Sequence, residues 1–320
     1  MEVLTEVDEA RIGSLRERGE FFWLDLHDPT AEAFATVGDM LGLHPMAMED
    51  TREFGQRPKV DAYESHVLVV FFTARRTGGG EPIAIPIEVH VYVSGDFIVT
   101  VRQEKCDLLD DLHGELVPED TEAEDTEAED YLVYRIFDSL TDAWYPVIAA
   151  IERHVDGLEA EVFARARREQ LSRIYRLRQE VREHHRLVSE QRDHFLPAAG
   201  AIRNLASLTR GSKEYLRDVG DHLAHVSGEL HRQYEDVMSH AQTYFNANAD
   251  RLNRTATRLT VVGTVFVTWT LVTGFFGQNF EWLVQHVESG TDFLVFGIGG
   301  LVVPTIALGT LLWVKRRDWF

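Results

Sequence analysis

The sequence is short of cysteine and of basic residues, and each shortage excludes a class of protein. Its single cysteine, Cys106, can form no intramolecular disulfide and gives no zinc-finger spacing, which favours a reducing compartment. Lys and Arg number 32 against 53 Asp and Glu, for a formal net charge of -21. Because nucleic acid is bound by clustered basic residues, this balance argues against a nucleic-acid partner. An acidic surface attracts cations instead, although ordinary solvated surface charge explains most of it.

Charged residues are missing from two stretches near the end of the chain, 259–276 and 293–314. Each is close to the roughly 20 residues that cross the hydrocarbon core of a bilayer, so we predict two transmembrane helices. Two buried helices of a globular protein are the alternative, but a short acidic loop alone separates these segments. The first residues, Met1 to Glu6, have neither the basic nor the apolar run of a signal peptide, so we expect the polar part to stay in the cytosol.

Basic residues flank the two apolar stretches and set their orientation. They stand before the first stretch and directly after the second, at Arg251, Arg254, Arg258, Lys315, Arg316 and Arg317. No Lys or Arg lies between Leu259 and Val314. By the positive-inside rule, both termini are predicted to be cytoplasmic in a multi-pass protein of the cell (inner) membrane, with the loop outside.

The polar part begins with a predicted α+β cytosolic domain over residues 1–130. Alternating apolar residues predict strands at 21–26, 67–72, 87–93 and 97–101, the last two joined by a hairpin turn at 94–96. A helix is expected over 30–41, followed by Pro45 and the segment 46–51. An acidic tandem repeat at 121–130 is predicted to be a solvated loop or helix start.

Helical spacing replaces the strand pattern after residue 130. We predict long cytosolic helices over 131–210, one of them running from about 170 to 195 and stopped by Pro197. A stalk helix over 211–258 continues into transmembrane helix 1 at 259–277, and a continuous helix of roughly 60 residues here would span about 90 Å. An outer loop at 278–292, transmembrane helix 2 at 293–314 and a basic cytosolic tail at 315–320 complete the predicted order.

One face of the first span is small and mildly polar and carries no charge. At helical spacing it contains Asn253, Ala256, Leu259, Gly263, Val267, Thr270, Gly274 and Gly277. Small residues of this kind either let helices pack closely or line a water-filled path. Because two spans cannot enclose a pore, the second interpretation requires several copies of the chain.

Such a path suits an ion that keeps its water. Magnesium dehydrates reluctantly, and a face of hydroxyls, glycines and carbonyls without a carboxylate can accept hydrogen bonds from its waters. Asn279 would do this at the outer mouth. Glu281, Glu288 and Asp292 would make the entrance negative and concentrate cations, although each can equally be a solvated loop residue.

Several segments resemble the CorA family of magnesium transporters. The sequence Gly277-Gln278-Asn279 ends the first span where that family has Gly-Met-Asn, and a short acidic outer loop follows. Segments 215–222, 129–134 and 101–105 are similar to the family's stalk helix, the start of its first long cytosolic helix and the end of its last domain strand. The resemblance therefore covers most of the chain.

The resemblance implies a homopentamer with a funnel-shaped cytosolic domain and the first span lining the pore. It implies an outer selectivity ring at Gly277 and Asn279, a cytoplasmic mouth near Asn253 and a hydrophobic constriction near Leu259. It also implies that Asp218 helps to bind regulatory Mg²⁺ between subunits, whose loss would favour opening.

At two positions the sequence differs from the family's pattern, and both bear on the identity of the transported ion. Gln278 replaces the methionine of the motif, and Thr268 stands where relatives often carry proline. Since zinc-transporting relatives of the ZntB branch also vary the middle position, a zinc transporter, which could be proton-coupled, stays open as an alternative. The proposed pore face has no Cys or His, so tight zinc binding there has little support.

The sequence gives less support to functions other than ion transport. We find no nucleotide-binding loop and no recognisable nucleophile and base pair, which predicts no organic cofactor, transport driven by the membrane potential and no enzymatic activity. Passage of Co²⁺ or Ni²⁺ besides Mg²⁺ is expected. A membrane-anchored sensor or scaffold that does not conduct is the alternative from another class.

Histidines on the stalk raise the question of a metal site. His222 and His225 stand three apart, with Asp218 and Asp221 each four residues ahead of one of them, so a helix places such groups on one face. Pairing with neighbouring charges is the plainer interpretation. The adjacent pair at 184 and 185 cannot share a helical face.

Overall fold

A computed structural model of the chain describes residues 2–78, 82–115, 125–164, 167–205, 212–278, 281–287 and 289–319. The chain forms two compact units, Met1–Ala241 and Gln242–Phe320. The first unit is an α+β domain with long helices, and the second contains the apolar C-terminal helices. The predicted class, an α+β domain followed by a long helix and two apolar helices, is confirmed.

The first unit is built on one six-stranded mixed sheet. Its strands are β1 (Glu2–Leu4), β2 (Phe22–His27), β3 (Lys59–Ala62), β4 (His66–Arg76), β5 (Ala84–Ser94) and β6 (Phe97–Arg102). Their order is β1-β2-β6-β5-β4-β3, with β1, β2 and β6 parallel and the other neighbours antiparallel. The four predicted strands are β2, β4, β5 and β6, and the predicted hairpin joins β5 to β6.

Both faces of the sheet are covered, which explains the near-continuous apolar runs of its central strands. In β4, Leu68 and Val70 belong to the core on one face, whereas Phe71 points to the other face and contacts the ring of Phe137 at 5.3 Å. The strand β4 therefore contributes side chains to two cores.

Three short helices cover the first face. They are α1 (Glu9–Arg18), α2 (Ala31–Leu41) and α3 (Pro45–Arg52). Asp8 and Thr30 cap the first two by accepting backbone hydrogen bonds, and Gly19 and Gly42 end them with positive φ angles of 66° and 65°. The helix expected at 30–41 is α2, and the segment 46–51 is part of α3.

Four helices lie between β6 and the longest helix of the described chain. They are α4 (Asp107–Glu115), α5 (Asp125–Asp142), α6 (Trp144–Ala164) and α7 (Arg168–Ile202). On the second sheet face, Phe195 of α7 lies 6.1 Å from the ring of Phe71. The amide of Gln191 accepts from the backbone N–H of Phe72 at 2.5 Å and donates to its carbonyl at 3.2 Å, so α7 completes the pairing of β4.

The prediction that Pro197 stops this helix is wrong, because Pro197 lies inside α7 and the helix continues to Ile202. Proline removes one backbone hydrogen bond, a cost that packing can outweigh. Phe195, Ala198 and Ile202 on either side of it are all buried, which holds the last turn in place.

One helix, α8 (Ser212–Phe276), contains both the predicted stalk and the first apolar segment without a break. After it come α9 (Glu281–His286), α10 (Gly290–Phe293), a π-helical turn (Leu294–Ile298) and α11 (Gly299–Trp319). Among the described residues, Lys213–Phe275 and Gly290–Leu311 are long and apolar enough to cross a membrane, which agrees with the two predicted spans.

A buried ion pair lies at the end of the sheet. Arg102, which is 2% exposed, donates to Asp25 at 2.8 Å and to Asp110 at 2.6 Å, and His113 Nε2 lies 3.1 Å from Asp25 Oδ2. Thr100 also donates to Asp25. Burial alone would raise the pKa of Asp25, but the nearby His113 and the hydrogen bond from Arg102 outweigh it and hold the pKa below its ordinary value.

We expect Asp25→Asn to lower the free energy of unfolding by about 3–5 kcal/mol, because it leaves the Arg102 charge buried without its carboxylate. The stabilisation from Asp25 is present at neutral pH and is lost as the pH falls through the lowered pKa, so the variant should lose part of this acid dependence. Denaturant unfolding followed by tryptophan fluorescence checks both points. Exposed Asp39→Asn is the control, and an equal midpoint shift in both variants would contradict the account.

Candidate functional site

The predicted pore face of α8 is open in the single chain. Its described members from Asn253 to Gly277 are all exposed, and so is Gln278. Two large apolar members show how open the face is, since Leu259 is 68% and Val267 is 70% exposed. The structure therefore brings these residues together on one side of the helix, where nothing from the described part of the same unit covers them.

The opposite side of α8 packs against the second span. The partly buried residues there are Thr257, Val261, Val265, Thr268 and Val272. At 3.6 residues per turn they lie about 150° around the helix from the predicted pore face. The indole N–H of Trp269 donates to the hydroxyl of Thr305 in α11 at 2.8 Å, which links the two spans. The second span thus covers one side of α8 and leaves the other available.

The threonines of the first span use their hydroxyl protons within the helix. Thr270, the one on the predicted pore face, donates to the carbonyl of Phe266 at 2.8 Å, and Thr273 donates to that of Trp269 at the same distance. Donation of the proton leaves the oxygen lone pairs available. Thr270 therefore presents an acceptor to water on that face.

The end of α8 is a second source of acceptors. The last carbonyls of a helix have no intrahelical partner and carry its partial negative charge, which favours a nearby cation. Gly277 closes the helix with a hydrogen bond to the carbonyl of Thr273 at 2.8 Å, and a Cβ at this glycine would lie only 3.2 Å from that oxygen. A shallow depression of about 540 Å³ lies beside this end and is lined by Val267, Thr270, Leu271, Gly274, Phe275 and Gln278.

The acidic outer loop is described in part. Asn279 and Glu288 lie outside the described residues. Glu281 is exposed at the start of α9. Asp292 accepts from the hydroxyl and the N–H of Ser289 at 2.7 and 3.1 Å, so it caps α10 rather than standing alone in the loop.

In the first unit, Asp218 belongs to a cluster that joins α5 to α8. Tyr134 donates to Asp218 at 3.0 Å, and His222 Nε2 lies 3.8 Å from the same carboxylate. His222 Nδ1 is 2.9 Å from Asp138, and one ligand atom each of Asp138, Asp142 and His222 lie within 4.8 Å of one another. The spacing of this acidic cluster is compatible with a metal ion.

Negative charge in the acidic cluster is only partly balanced. Burial raises the pKa of Asp142, and the charge of Asp138 raises it further. Burial and the charges of Asp138 and Asp218 also raise the pKa of Tyr134. Arg135 lies 3.8 Å from Asp138 and offsets part of this charge. A divalent cation would relieve the remaining repulsion.

The sequence predicted Asp218 and His222 but missed Asp138 and Asp142. Those two carboxylates follow Tyr134 at four-residue steps, so the spacing placed all three on one face of α5. That spacing was the available signal. What it could not give was the partner helix, because Asp218 lies 84 residues from Tyr134.

Other histidines of the long helices have local partners. His225 does not join the acidic cluster, since it lies 3.8 Å from Glu229 and its ring contacts Tyr145. Asp221 is exposed on the same helix. His184 is buried against the ring of Trp144, whereas His185 contacts His231, so the two adjacent histidines have separate environments.

A buried chain of hydrogen bonds joins three residues in an order resembling a catalytic triad. Thr51 Oγ1 lies 2.8 Å from His90 Nδ1, and His90 Nε2 lies 2.7 Å from Glu88. Thr51 and His90 are 2% and 0% exposed, so no substrate reaches the hydroxyl. The chain ties α3 to β5 and has a structural role.

The fold and the open small-residue face define an integral membrane protein with two C-terminal spans. A family profile described as "CorA-like Mg2+ transporter protein" matches residues 18–316. The chain belongs to this CorA-like family. It is a metal-ion transporter and not an enzyme.

Individual relatives match nearly the whole chain at low identity. The cobalt/magnesium transport protein CorA of Thermotoga maritima is 23% identical over 284 residues, which cover 88% of this chain and 78% of that protein. The structure of the CorA magnesium transporter from Methanocaldococcus jannaschii matches with a TM-score of 0.75 at 19% identity, covering 93% of this chain and 91% of the other. The full-length CmaX protein matches with a TM-score of 0.66 at 24% identity, covering 92% and 87%.

Proposed function

We propose that the chain is a homopentameric channel that passes hydrated Mg²⁺, and also Co²⁺ or Ni²⁺, through the cell membrane. The observation that carries the proposal is the open face of α8, which is uncharged and small and lies opposite the side that packs on the second span. Copies of the chain arranged around an axis would turn this face inward. Both termini would then be cytoplasmic, and the membrane potential would drive entry.

Passage of a hydrated ion follows from the groups on this face. The face offers the oxygen of Thr270 and the carbonyls at the end of α8, which accept hydrogen bonds from coordinated water. It offers no charged side chain from Asn253 to Gly277 that would strip that water or hold the ion tightly. Mg²⁺ keeps several waters in most protein sites, so weak contacts to its hydration shell suit both entry and release.

Selectivity is proposed for the ring of Gly277, Gln278 and Asn279 at the outer mouth. Glu281 and Glu288 of each copy would raise the local cation concentration there. At the other end, Leu259 would form an apolar constriction and Asn253 the cytoplasmic mouth. The close approach at Gly277 favours glycine at this position of the ring, because a side chain there would crowd the carbonyl of Thr273 in the same helix.

Regulation by cytosolic Mg²⁺ is proposed at the acidic cluster of Asp138, Asp142, Asp218 and His222. The raised pKa of Asp142 and the short distances among the ligand atoms support binding of a divalent cation. Because the cluster connects α5 to α8, and α8 continues into the first span, an ion there would favour one position of the helix. Its release would shift the population toward the conducting state.

We expect cytosolic Mg²⁺ to inhibit uptake by the native chain at least about fivefold, the lower range of allosteric coupling, and to inhibit Asp218→Asn far less. The charge removed in that variant is one that the bound cation would compensate. Uptake measured at several cytosolic Mg²⁺ concentrations checks this, with exposed Asp221→Asn on the same helix as the control. Equal inhibition of Asp218→Asn and the native chain would place the regulatory ion elsewhere.

Ion competition tests the proposed cargo. In proteoliposomes with an inside-negative potential, Mg²⁺ uptake should persist when a low concentration of Zn²⁺ is added, since the described pore face has no Cys or His. Zinc entry without Mg²⁺ entry would support the zinc-transporter alternative. No flux of either ion from a folded oligomer would support a sensor or scaffold instead.

A further inference from the structure

We propose that His185 of α7 and His231 of α8 form a site for a transition-metal ion that bridges the two helices. Their ring centres are 5.1 Å apart with an angle of 37° between the ring planes. An imidazole nitrogen binds zinc at about 2.0–2.1 Å, which puts two rings on one tetrahedral ion with their centres about 5 Å apart. The observed spacing matches that value.

One nitrogen of each ring has a local partner that would orient it. His185 Nε2 lies 3.2 Å from the hydroxyl of Ser189, which lies 2.9 Å from that of Ser227 on α8. His231 Nε2 lies 3.6 Å from Glu235. Histidines that bind metals commonly donate their second N–H to such a hydroxyl or carboxylate. With Nε2 of His185 beside Ser189 and Nε2 of His231 facing Glu235, Nδ1 of each ring would carry the lone pair for the metal.

The surroundings tolerate a cation. The nearby positive charge of Arg192 is paired, since its guanidinium donates to Asp193 at 2.7 and 3.0 Å. Water would complete the coordination.

Nitrogen ligands select the class of ion. Imidazole suits Zn²⁺, Ni²⁺ and Cu²⁺, whereas Mg²⁺ prefers oxygen ligands, so this site would respond to transition metals without competing for magnesium. An ion held by both rings would fix the contact between α7 and α8. The site stands on its own residues and does not depend on the proposed conduction of Mg²⁺.

Metal binding to the full-length chain in detergent tests the site. Zn²⁺ affinity is measured by competition with a chelating dye, and the Cu²⁺ form is examined for nitrogen coupling by electron paramagnetic resonance. His231→Ala and His185→Phe, the latter keeping a ring in the contact, should each weaken Zn²⁺ binding by about tenfold or more, since even the loss of an outer-shell partner costs 10–100-fold. The Cu²⁺ spectrum should show two nitrogens in the native chain.

Two controls separate this site from others. His225→Ala removes an exposed histidine of the same helix and should leave the affinity unchanged. His222→Ala disables the acidic cluster and should also preserve the two-nitrogen Cu²⁺ signal. Native affinity in His231→Ala, or loss of the signal only in His222→Ala, would overturn the proposal and leave the His185–His231 contact as a stacking interaction.

Discussion

Replacing Gly263 by leucine is expected to reduce Mg²⁺ uptake by at least about tenfold, for which a barrier increase of ~1.4 kcal/mol is enough. In the proposed pentamer the new side chains would fill the path at one level. The chain itself should tolerate the change, because no atom lies within 4 Å of a Cβ at this position. Leucine is also a better helix former than glycine, so α8 should not be weakened.

The neighbouring residue supplies the matched control. Val262 is 52% exposed but lies about 100° around the helix from Gly263, off the predicted pore face. Val262→Leu should therefore transport at close to the native rate. Uptake and oligomeric state are measured for both variants in the same membranes. Equal loss in the two variants would contradict a pore face at Gly263, and dissociation of the Gly263→Leu oligomer would favour close helix packing as the role of the small residues.

Asn279→Ala is expected to produce the second large loss, again about tenfold or more in the rate of Mg²⁺ uptake. In the proposed ring its side-chain oxygen accepts hydrogen bonds from the waters of the entering ion, and alanine cannot replace them. Gln278→Met at the adjacent position should keep the flux, since methionine is the residue of the related motif. Comparing the two variants shows which of the adjacent amide side chains is needed for Mg²⁺ uptake.

Gln278 could instead be the residue that accepts hydrogen bonds from the ion's waters, with Asn279 the replaceable one. If Gln278→Met abolishes uptake while Asn279→Ala does not, the acceptor at the outer mouth is Gln278, which is exposed beside the depression at the end of α8. That result would contradict the assignment of the ring's main acceptor to Asn279. Normal folding of each variant is checked by its elution as an oligomer.

The pattern of apolar residues made the central strands predictable from the sequence, and the length of the uncharged stretches did the same for the apolar helices. The strand β4 is a run of β-branched and aromatic residues, and 259–276 has no charge, so each pattern had one natural interpretation. In contrast, β1 and β3 were not predicted because they have three and four residues, too few to show a period. The helices α1 and α4 also went unpredicted, since each is short and rich in charge.

Some site residues could likewise be predicted from local spacing, whereas others depend on contacts between distant parts of the chain. The open face of α8 follows from spacing within one helix, so the sequence predicted which residues share it. The acidic cluster depends on the contact between α5 and α8, which no local pattern encodes. Pro197 shows that a local rule can also mislead. Proline usually ends a helix, but here the buried residues on either side of it keep α7 helical.

The most direct test of the central claim is Mg²⁺ uptake by the purified chain in proteoliposomes, with and without an imposed inside-negative potential. A channel for hydrated Mg²⁺ predicts uptake that rises with the potential, by ~2.3 kcal/mol of driving force per charge per 100 mV. It also predicts that the rise disappears in Gly263→Leu. Uptake that ignores the potential, or that is the same in Gly263→Leu and the native chain, would contradict the account.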